Sequence, residues 1–461
     1  MMRPVCTFSR FLPFMTSYLQ EARRTLVLAG PIMVGQLSQM LMGVTDAIMI
    51  GHVGKVPLAA SAFAGSIFGL FFVIGIGLLV PVSVMISRAH GGGDEAEAAE
   101  WMGHGAVLSL GAGIISTLLM IALGMQLHRF GQPAEVLAAV NPYFQLIAVS
   151  LVPTLMFQVQ RQFAEALERP MVPMVFMLIG VLLNIFLNWV LIYGNLGAPA
   201  MGLTGAGWAT LISRTVGMVV IFYWVSRARD FRAAWPAKWF RRYSWPRFRE
   251  LLQLGVPIAM SMTFEGGAFG AAAIMMGWLG STPLAAHQIA ISCAAFTFMI
   301  PLGLSMAVSI RVGRAVGGGR LDAVRPIGFS AQIISAVIMG AFALLFVFAG
   351  EQLARGFVDE RDVVLLAAEF LVVAGIFQLA DGAQVVGAAS LRGLKDVKLP
   401  TILTALAYWG FALPLGYWLG LHTDMGAPGI WVGLAGGLIF AAFALIGRFT
   451  VLTRPARLVQ D

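Results

Sequence analysis

The chain has 461 residues, of which 59% are hydrophobic and 11% are charged, and its mean hydropathy is +0.85. Soluble globular proteins carry about 25% charged residues, so this composition excludes a water-exposed surface over most of the molecule. The net charge of +8 does not indicate nucleic-acid binding, because basic residues in a membrane protein report topology. Cys6 and Cys293 are far apart in sequence, so neither a disulfide framework nor a cysteine metal site is predicted.

Apolar runs long enough to cross the ~30 Å hydrocarbon core of a bilayer recur along the whole chain. Read against proline, glycine and charged residues, they predict an all-α polytopic membrane protein with twelve transmembrane helices. The first 24 residues carry four arginines and no uninterrupted apolar stretch, so no cleaved signal peptide is predicted. The predicted spans are 26–50, 58–86, 103–124, 136–158, 171–193, 204–225, 251–279, 284–310, 327–349, 363–388, 399–420 and 428–450.

Lysine and arginine are distributed unevenly between the two sides of the predicted bundle. The N-terminus, the loops after even-numbered spans and the C-terminus together carry 25 of the 30. The other side carries Lys55, Arg129, Arg355 and Arg361, and Arg214 lies inside span 6. Because basic loops stay in the cytoplasm, both termini are predicted to be cytoplasmic.

The two halves of the chain repeat each other. With a shift of 226 positions, residues 29–93 align without a gap on residues 255–319, and 24 of the 65 positions are identical. Six spans per repeat is an even number, so both halves run in the same direction. They are then related by a pseudo-twofold axis along the membrane normal, as in some secondary transporters. The predicted parts are a cytoplasmic N-terminal segment (1–25), a six-helix N-lobe (26–225), a basic cytoplasmic linker (226–250), a six-helix C-lobe (251–450) and a cytoplasmic tail (451–461), with the two lobes facing a central cleft.

The acidic residues inside predicted spans include Asp46, Glu265 and Asp381. An ionised carboxylate at the centre of a bilayer helix costs roughly 2.5–3.5 kcal/mol on insertion scales. The repeat aligns Asp46 with Ala272 and Glu265 with Gln39, so the acids did not duplicate with the surrounding scaffold. Residues retained for packing tend to duplicate with their helix, and a functional role for these acids is therefore favoured.

Two asparagines of span 5 accompany the first acid at a similar depth. Asn184 and Asn188 are four residues apart and share one helix face. Counted from the cytoplasmic start of each helix at 1.5 Å per residue, both asparagines and Asp46 fall in the outer half of the membrane. One carboxylate and two amide carbonyls suit a hard monovalent cation, and a desolvated carboxylate can hold a proton instead. The structural alternative is interhelical hydrogen bonding by the asparagines.

A second polar group is predicted in the C-terminal half. Glu265 lies near mid-membrane, and Asp381 forms a polar stripe on span 10 with Gln378 and Gln384. These residues indicate a site for a cation or a cationic substrate. His287 is a candidate proton relay, because its side chain titrates near neutral pH, although a packing role near the outer end of span 8 fits equally.

Three stretches carry a family resemblance: "PIMVGQLSQMLMGVTDAIMIG", "PLAAHQIAISCAAFTFMIPLGLSMAVSIRVGRAVG" and "DGAQVVGAASLRGLKD". They resemble the multidrug and toxic compound extrusion (MATE) family, in its bacterial NorM-like branch, and the likeness covers nearly the whole chain. The resemblance implies a monomeric multi-pass protein of the bacterial inner membrane. It also implies a secondary antiporter, and not an enzyme, that exports organic cations and drugs in exchange for Na⁺ or H⁺ and needs no cofactor.

The resemblance also implies roles for individual residues. Asp46 matches the N-lobe acid of the family, Asn184 and Asn188 match the asparagines beside it, and Glu265 and Asp381 match the C-lobe acids. All five are predicted to couple transport to the cation, and Asp46, Asn184 and Asn188 form the candidate Na⁺ site. Substrate binding is predicted for Asp46, Glu265, Asp381 and Gln378.

Other functions fit the sequence less well. A lipid-linked oligosaccharide flippase of the same superfamily carries anionic head groups and needs cationic side chains in its cavity, whereas Arg214 is the one basic residue deep in a predicted span. An intramembrane enzyme is disfavoured, because the chain contains no H-E-x-x-H, G-x-x-x-x-G-K-[ST] or G-x-S-x-G motif. A channel suits the unequal acids and the two-lobe repeat less well than alternating access does.

Overall fold

The structure, a computed structural model, describes residues 8–237, 239 and 243–454, with side chains from Tyr18 onward. Twelve helices in this range are long and apolar enough to cross a membrane, as predicted. Cys6 and residues 455–461 of the predicted tail lie outside the described residues. The helices are α1 (Phe8–Gly51), α2 (Lys55–Gly91), α3 (Glu95–Gly124), α4 (Ala134–Ala166), α5 (Met171–Tyr193), α6 (Gly202–Arg227), α7 (Trp245–Leu279), α8 (Ser281–Gly317), α9 (Leu321–Arg355), α10 (Arg361–Gly393), α11 (Lys398–His422) and α12 (Ala427–Leu452).

Each predicted span lies within one of these helices, and most helices extend several residues beyond the span. Some of these extensions carry charged or titratable residues: α2 continues past residue 86 through Arg88 and His90 in its last turn. Hydropathy marks the lipid-buried part of a helix, whereas backbone hydrogen bonding continues into the polar surroundings. For the same reason α1 begins at Phe8, so residues 8–25 of the predicted N-terminal segment are helical.

Two helices are locally irregular. The chain of α4 divides at Ser150, between segments ending at Val149 and beginning at Leu151, and the Ser150 hydroxyl donates to the Ile147 carbonyl. Helix α11 contains a π-helical segment, Leu406–Ala412. Such wide turns occur frequently at functional sites, and this one carries Tyr408.

The sequence repeat recurs in the backbone. Gly54 and Gly280, 226 residues apart, both have positive φ before a long helix. Glu168 and Lys395 share the same rare left-handed conformation, with φ of 59° and 63°. A non-glycine residue adopts this conformation at a cost in strain, so its recurrence at aligned positions supports a duplicated fold.

By internal contacts, the chain divides into two compact units. The N-unit is Val34–Met262, and the C-unit contains the described residues up to Met33 together with the described residues from Thr263 on. These two units divide inside α1 and α7. The predicted lobes, 26–225 and 251–450, follow the sequence repeat and stay a prediction.

Close contacts between helices within each unit explain why the chain divides inside α1 and α7. Within the N-unit, Gly77 of α2 meets the first half of α7 so closely that an added Cβ would lie 2.4 Å from the Ala259 Cα. Within the C-unit, a Cβ on Gly303 of α8 would lie 2.7 Å from the Met33 Cα of α1. These contacts occupy aligned positions of the repeat. The first halves of α1 and α7 therefore pack in the unit that does not contain the second halves of the same helices.

The predicted linker 226–250 belongs to the N-unit, and its described part packs inside that unit. Phe231 and Ala234 are buried in a core cluster that also contains Phe163. The ring of Trp235 lies 5.4 Å from that of Phe222, and the Ser244 amide donates to His104 Nε2 at 3.0 Å. Lys238 and residues 240–242 lie outside the described residues.

Candidate functional site

In the N-unit, the three predicted residues of the first cluster are in contact. Asn188 Nδ2 donates to Asp46 Oδ1 at 2.5 Å and to Asn184 Oδ1 at 3.2 Å. Asp46 lies five residues before the end of α1 and Asn188 five before the end of α5, so both are roughly 7–8 Å from a helix end. Both asparagines are fully buried, and Asp46 is therefore held by a donor that water does not reach.

Helix α6 adds hydroxyl groups that the sequence reading did not single out. Asn184 Nδ2 lies 3.5 Å from Ser213 Oγ, which itself donates to the Thr210 carbonyl. Among the described residues, Asn188 Oδ1 and Thr210 Oγ1 are buried without a hydrogen-bond partner. Buried oxygens are normally paired, so the free Asn188 Oδ1, on the side chain that contacts the Asp46 carboxylate, favours binding of a cation. Hydroxyls in a small-residue helix such as "GAGWATLIS" could have provided this signal.

A cavity of about 280 Å³ opens beside this cluster within the N-unit. Its walls combine the Asp46 carboxylate with aromatic and thioether side chains, which suit flat organic cations. The lining includes Gln39, Met42, Phe68, Phe72, Phe157, Gln158, Phe176, Met177, Ser213 and Arg214.

Arg214, whose partner the sequence did not identify, also lines this cavity. Its Nη1 donates to Ser150 Oγ at 2.7 Å, at the division of α4. Its guanidinium carbon lies 4.5 Å from the centre of the Phe68 ring, and its charge interacts with that of Asp46. The arginine is therefore compensated by a hydroxyl, an aromatic face and the acid of the same cavity.

In the C-unit, Glu265 is connected to α10 and α11. Gln384 Nε2 lies 3.4 Å from Glu265 Oε2, and the Tyr408 hydroxyl donates to Gln384 Oε1 at 2.9 Å. Tyr408 is fully buried and lies in the π-helical segment, so the local widening of α11 accompanies a polar contact. Arg392 of α10 interacts electrostatically with Glu265. The sequence reading predicted Glu265 but missed Tyr408 and Arg392.

The predicted polar stripe of α10 is buried. Gln378 and Asp381 are 0% and 4% exposed, and Gln378 Nε2 donates to Thr297 Oγ1 of α8. Gln378 Oε1 and Asp381 Oδ1 have no hydrogen-bond partner within the described part of the chain. Asp381 and Glu265 also interact electrostatically. Two acids with unpaired acceptors beside them form a second candidate site for a cation.

His287 lies against Trp431, a member of a hydrophobic cluster of the C-unit. It is 1% exposed, and its ring centre is 5.5 Å from that of Trp431. Its Nδ1 and the indole nitrogen of Trp431 have no partner among the described residues. The packing role is visible in the structure, whereas the relay role stays a prediction.

Both acid sites rely on one or two carboxylates and on neutral oxygen donors. Nowhere in the described residues do three His, Cys, Asp or Glu side chains come together. Transition metals favour imidazole or thiolate ligands, whereas oxygen donors suit hard cations. The arrangement can therefore hold a hard monovalent cation, a proton or an organic cation.

Comparison with known proteins agrees with this reading of the fold. The MatE family profile matches residues 31–190 and again residues 257–418, once in each sequence repeat. A mutant of the Vibrio cholerae MATE transporter VcmN superposes with a TM-score of 0.88 at 23% identity, covering 97% of this chain and 100% of that chain. The eukaryotic MATE transporter AtDTX14 superposes with a TM-score of 0.87 at 20% identity over 96% and 98% of the two chains.

Sequence relatives are similar over nearly their whole length. A probable multidrug resistance protein NorM of Mesorhizobium japonicum is 37% identical over 443 residues, covering 93% of this chain and 94% of the relative. The multidrug resistance protein MdtK of Cronobacter sakazakii is 35% identical over 450 residues, covering 95% and 97%. With the profile matched in both halves, the chain belongs to the MatE family of membrane transport proteins.

Proposed function

We propose that the protein is a secondary multidrug efflux antiporter that exports organic cations in exchange for Na⁺ or H⁺. The observation that carries the proposal is the contact between Asp46, Asn188 and Asn184 beside a cavity lined by aromatic and methionine side chains. The names of the relatives support the same function, since they are multidrug resistance proteins. The function predicted from the sequence is retained.

The chemistry proposed for the N-unit is competition for one carboxylate. Asp46, with the amide oxygens of Asn184 and Asn188, binds Na⁺ or, alternatively, a proton. Either ion neutralises the acid, and an organic cation then loses its counter-charge and leaves. Because the carboxylate is desolvated, its attraction for a cation is stronger than it would be in bulk water. Binding of one cation therefore strongly disfavours binding of the other.

In the C-unit, Glu265 and Asp381 form the second site, and Gln378 contributes an amide oxygen to substrate or cation. The unpaired acceptors on Gln378 and Asp381 support this role. His287 is retained as a candidate proton relay toward this site.

The proposal also covers the oligomeric state, the location and the energy source of the transporter. The protein is proposed to be a monomer in the bacterial inner membrane, with both termini in the cytoplasm, and to require no cofactor. Energy comes from the Na⁺ or H⁺ gradient, and transport proceeds by alternating access. Pro31 and Pro257, at aligned positions in α1 and α7, lack a backbone donor and can act as hinges.

The test is transport of ethidium by the purified protein in proteoliposomes, with a Na⁺ gradient and a pH gradient imposed separately. We expect one gradient to drive ethidium movement in wild type. The variants Asp46→Asn and Glu265→Gln should lose the gradient-driven part. Asp359→Asn, which removes a carboxylate from an exposed loop, is the matched control and should behave as wild type.

Failure of both gradients to move ethidium in wild type would contradict the antiporter. Arg214 in the cavity favours a second candidate, a flippase for a lipid with an anionic head group. Gradient-independent movement of such a lipid between leaflets, lost in Arg214→Gln, would support that alternative.

A further inference from the structure

The cavity of the N-unit already contains a cation of its own. Arg214 keeps its charge at any pH that the protein meets, and it lines the same cavity as Asp46. Its position is fixed by the hydrogen bond to Ser150 Oγ and by the Phe68 ring 4.5 Å away. A cation that enters the cavity therefore meets one acid, one fixed positive charge and an aromatic face that is already occupied.

These contacts have opposite effects on the two states of the cavity. When no cation is bound, the guanidinium offsets the Asp46 charge, and the unliganded carboxylate is stabilised. When a cation is bound, the guanidinium repels it and competes for the Phe68 face. Both effects lower the affinity of Asp46 for cations, and both favour release.

The C-unit contains a similar pair built from different positions. Arg392 interacts with Glu265 and lies 3.5 Å from Ser305 Oγ through its Nη2. In the repeat, Arg214 and Arg392 do not align, since they lie on α6 and α10, the sixth and fourth helices of their halves. A duplicated packing residue would occupy aligned positions, so two unaligned arginines beside the acids favour a role linked to the acids.

We propose that Arg214 is a tethered counter-cation that sets how tightly Asp46 binds the transported cations and how fast they leave. The inference rests on the proposed function, because it assigns Asp46 to cation binding. Arg214 is a tuning residue and contributes no ligand to the bound cation.

The experiment measures equilibrium binding of ethidium and of Na⁺ to the full-length protein in nanodiscs at low ionic strength. Arg214→Gln should bind ethidium about tenfold more tightly than wild type, the size expected when a unit charge several ångström from a partly buried carboxylate is removed. The rate of ethidium dissociation should fall in parallel. Arg214→Met provides a second uncharged variant if Arg214→Gln does not fold, and Arg214→Lys should keep wild-type affinity.

Three controls separate the effect of the Arg214 charge from the effect of a larger cavity and from the effects of charges elsewhere in the protein. Arg129→Gln removes the same charge from an exposed position of the N-unit and should leave binding unchanged. The uncharged probe N-phenyl-1-naphthylamine should bind wild type and Arg214→Gln equally. In the double variant Asp46→Asn/Arg214→Gln, the gain in ethidium affinity should disappear.

Unchanged or weaker ethidium binding in both uncharged variants would overturn the inference, as would equal tightening of the uncharged probe. Failure of the proposed function can be distinguished from failure of this inference. If ethidium is neither bound nor transported but Na⁺ binds more tightly to Arg214→Gln, the counter-cation role stands without multidrug export. If wild type transports ethidium and Arg214→Gln binds neither cation more tightly, export stands and the counter-cation role fails.

Discussion

Asn188 is the residue on which the N-unit cluster depends, because one amide group donates to both Asp46 and Asn184. We expect Asn188→Ala to lower the free energy of unfolding by about 1–3 kcal/mol, since two acceptors lose their donor. Ligand binding to the folded state raises stability, so if the coupling ion is Na⁺, it should raise the unfolding temperature of wild type but not of Asn188→Ala. Thermal unfolding with and without Na⁺ checks both expectations.

Asn195→Ala is the control for this variant, because that side chain donates to the Trp189 carbonyl outside the cavity. It should retain any stabilisation by Na⁺. A Na⁺ response that survives intact in Asn188→Ala would remove this asparagine from the coupling site.

His287 allows the relay hypothesis to be tested against its packing role. If the imidazole relays protons, His287→Gln should slow ethidium transport driven by a pH gradient and leave equilibrium binding of ethidium unchanged. A purely structural residue would affect both alike. His52→Gln, at an exposed histidine, should affect neither.

At this scale, the sequence was sufficient for the acids and asparagines, because charged and amide groups are costly in lipid and therefore conspicuous. It was insufficient for their neighbours. Threonine, serine and tyrosine are common in membrane helices, so Thr210, Ser213 and Tyr408 are not conspicuous in the sequence. Their roles depend on which helix faces pack against each other. Arg214 was conspicuous, but its partners come from α1, α2 and α4, which no spacing in the sequence brings together.

At the scale of helices, Gly77 permits the close approach of α2 and α7 within the N-unit. Gly77→Ala should destabilise the protein by about 1–3 kcal/mol, because the added Cβ would overlap the backbone of Ala259. Gly69→Ala in the same helix is the control, since no atom lies within 4 Å of its added Cβ. Thermal unfolding should separate the two variants, and equal unfolding temperatures would contradict this packing argument.

Hydropathy predicted all twelve helices because the apolar length required by a bilayer is a property of single segments. Helix α5 even begins and ends as predicted, at Met171 and Tyr193, where Pro170 and Gly194 bound the apolar run. The π-helical segment of α11 was not predicted. One extra residue in a turn leaves the apolar pattern nearly unchanged, so hydropathy carries no signal for it.

For the whole molecule, the predicted orientation can be measured by labelling single cysteines in a background with Cys6 and Cys293 replaced by serine. Lys55→Cys should react with an impermeant maleimide added to intact cells. Arg320→Cys should react only after permeabilisation. Both positions are exposed, so both should react in detergent, and the opposite pattern would invert the predicted topology.

The sequence repeat predicted two similar halves but not the division into compact units. The repeat reflects a duplication of the sequence. It carries no information about which helices pack against each other. Contacts such as Gly303 with Met33 depend on small side chains at a crossing point, which hydropathy treats like any other apolar residue.

The packing of the first half of α1 has a consequence for biosynthesis. Arg311 of α8 donates to the Glu21 carbonyl at 2.7 Å and also pairs with its carboxylate, across a separation of 290 residues. At ribosomal rates of about 5–20 residues per second, Glu21 emerges roughly 15–60 s before its partner exists. During that interval the Glu21 carboxylate has Arg24 of its own helix as a partner, at 3.1 Å, but the first half of α1 has to be held in the membrane or by the insertion machinery without the C-unit helix against which it packs. Translation speed and insertase capacity should therefore limit the yield of this protein more than that of a membrane protein whose first helix packs against its second.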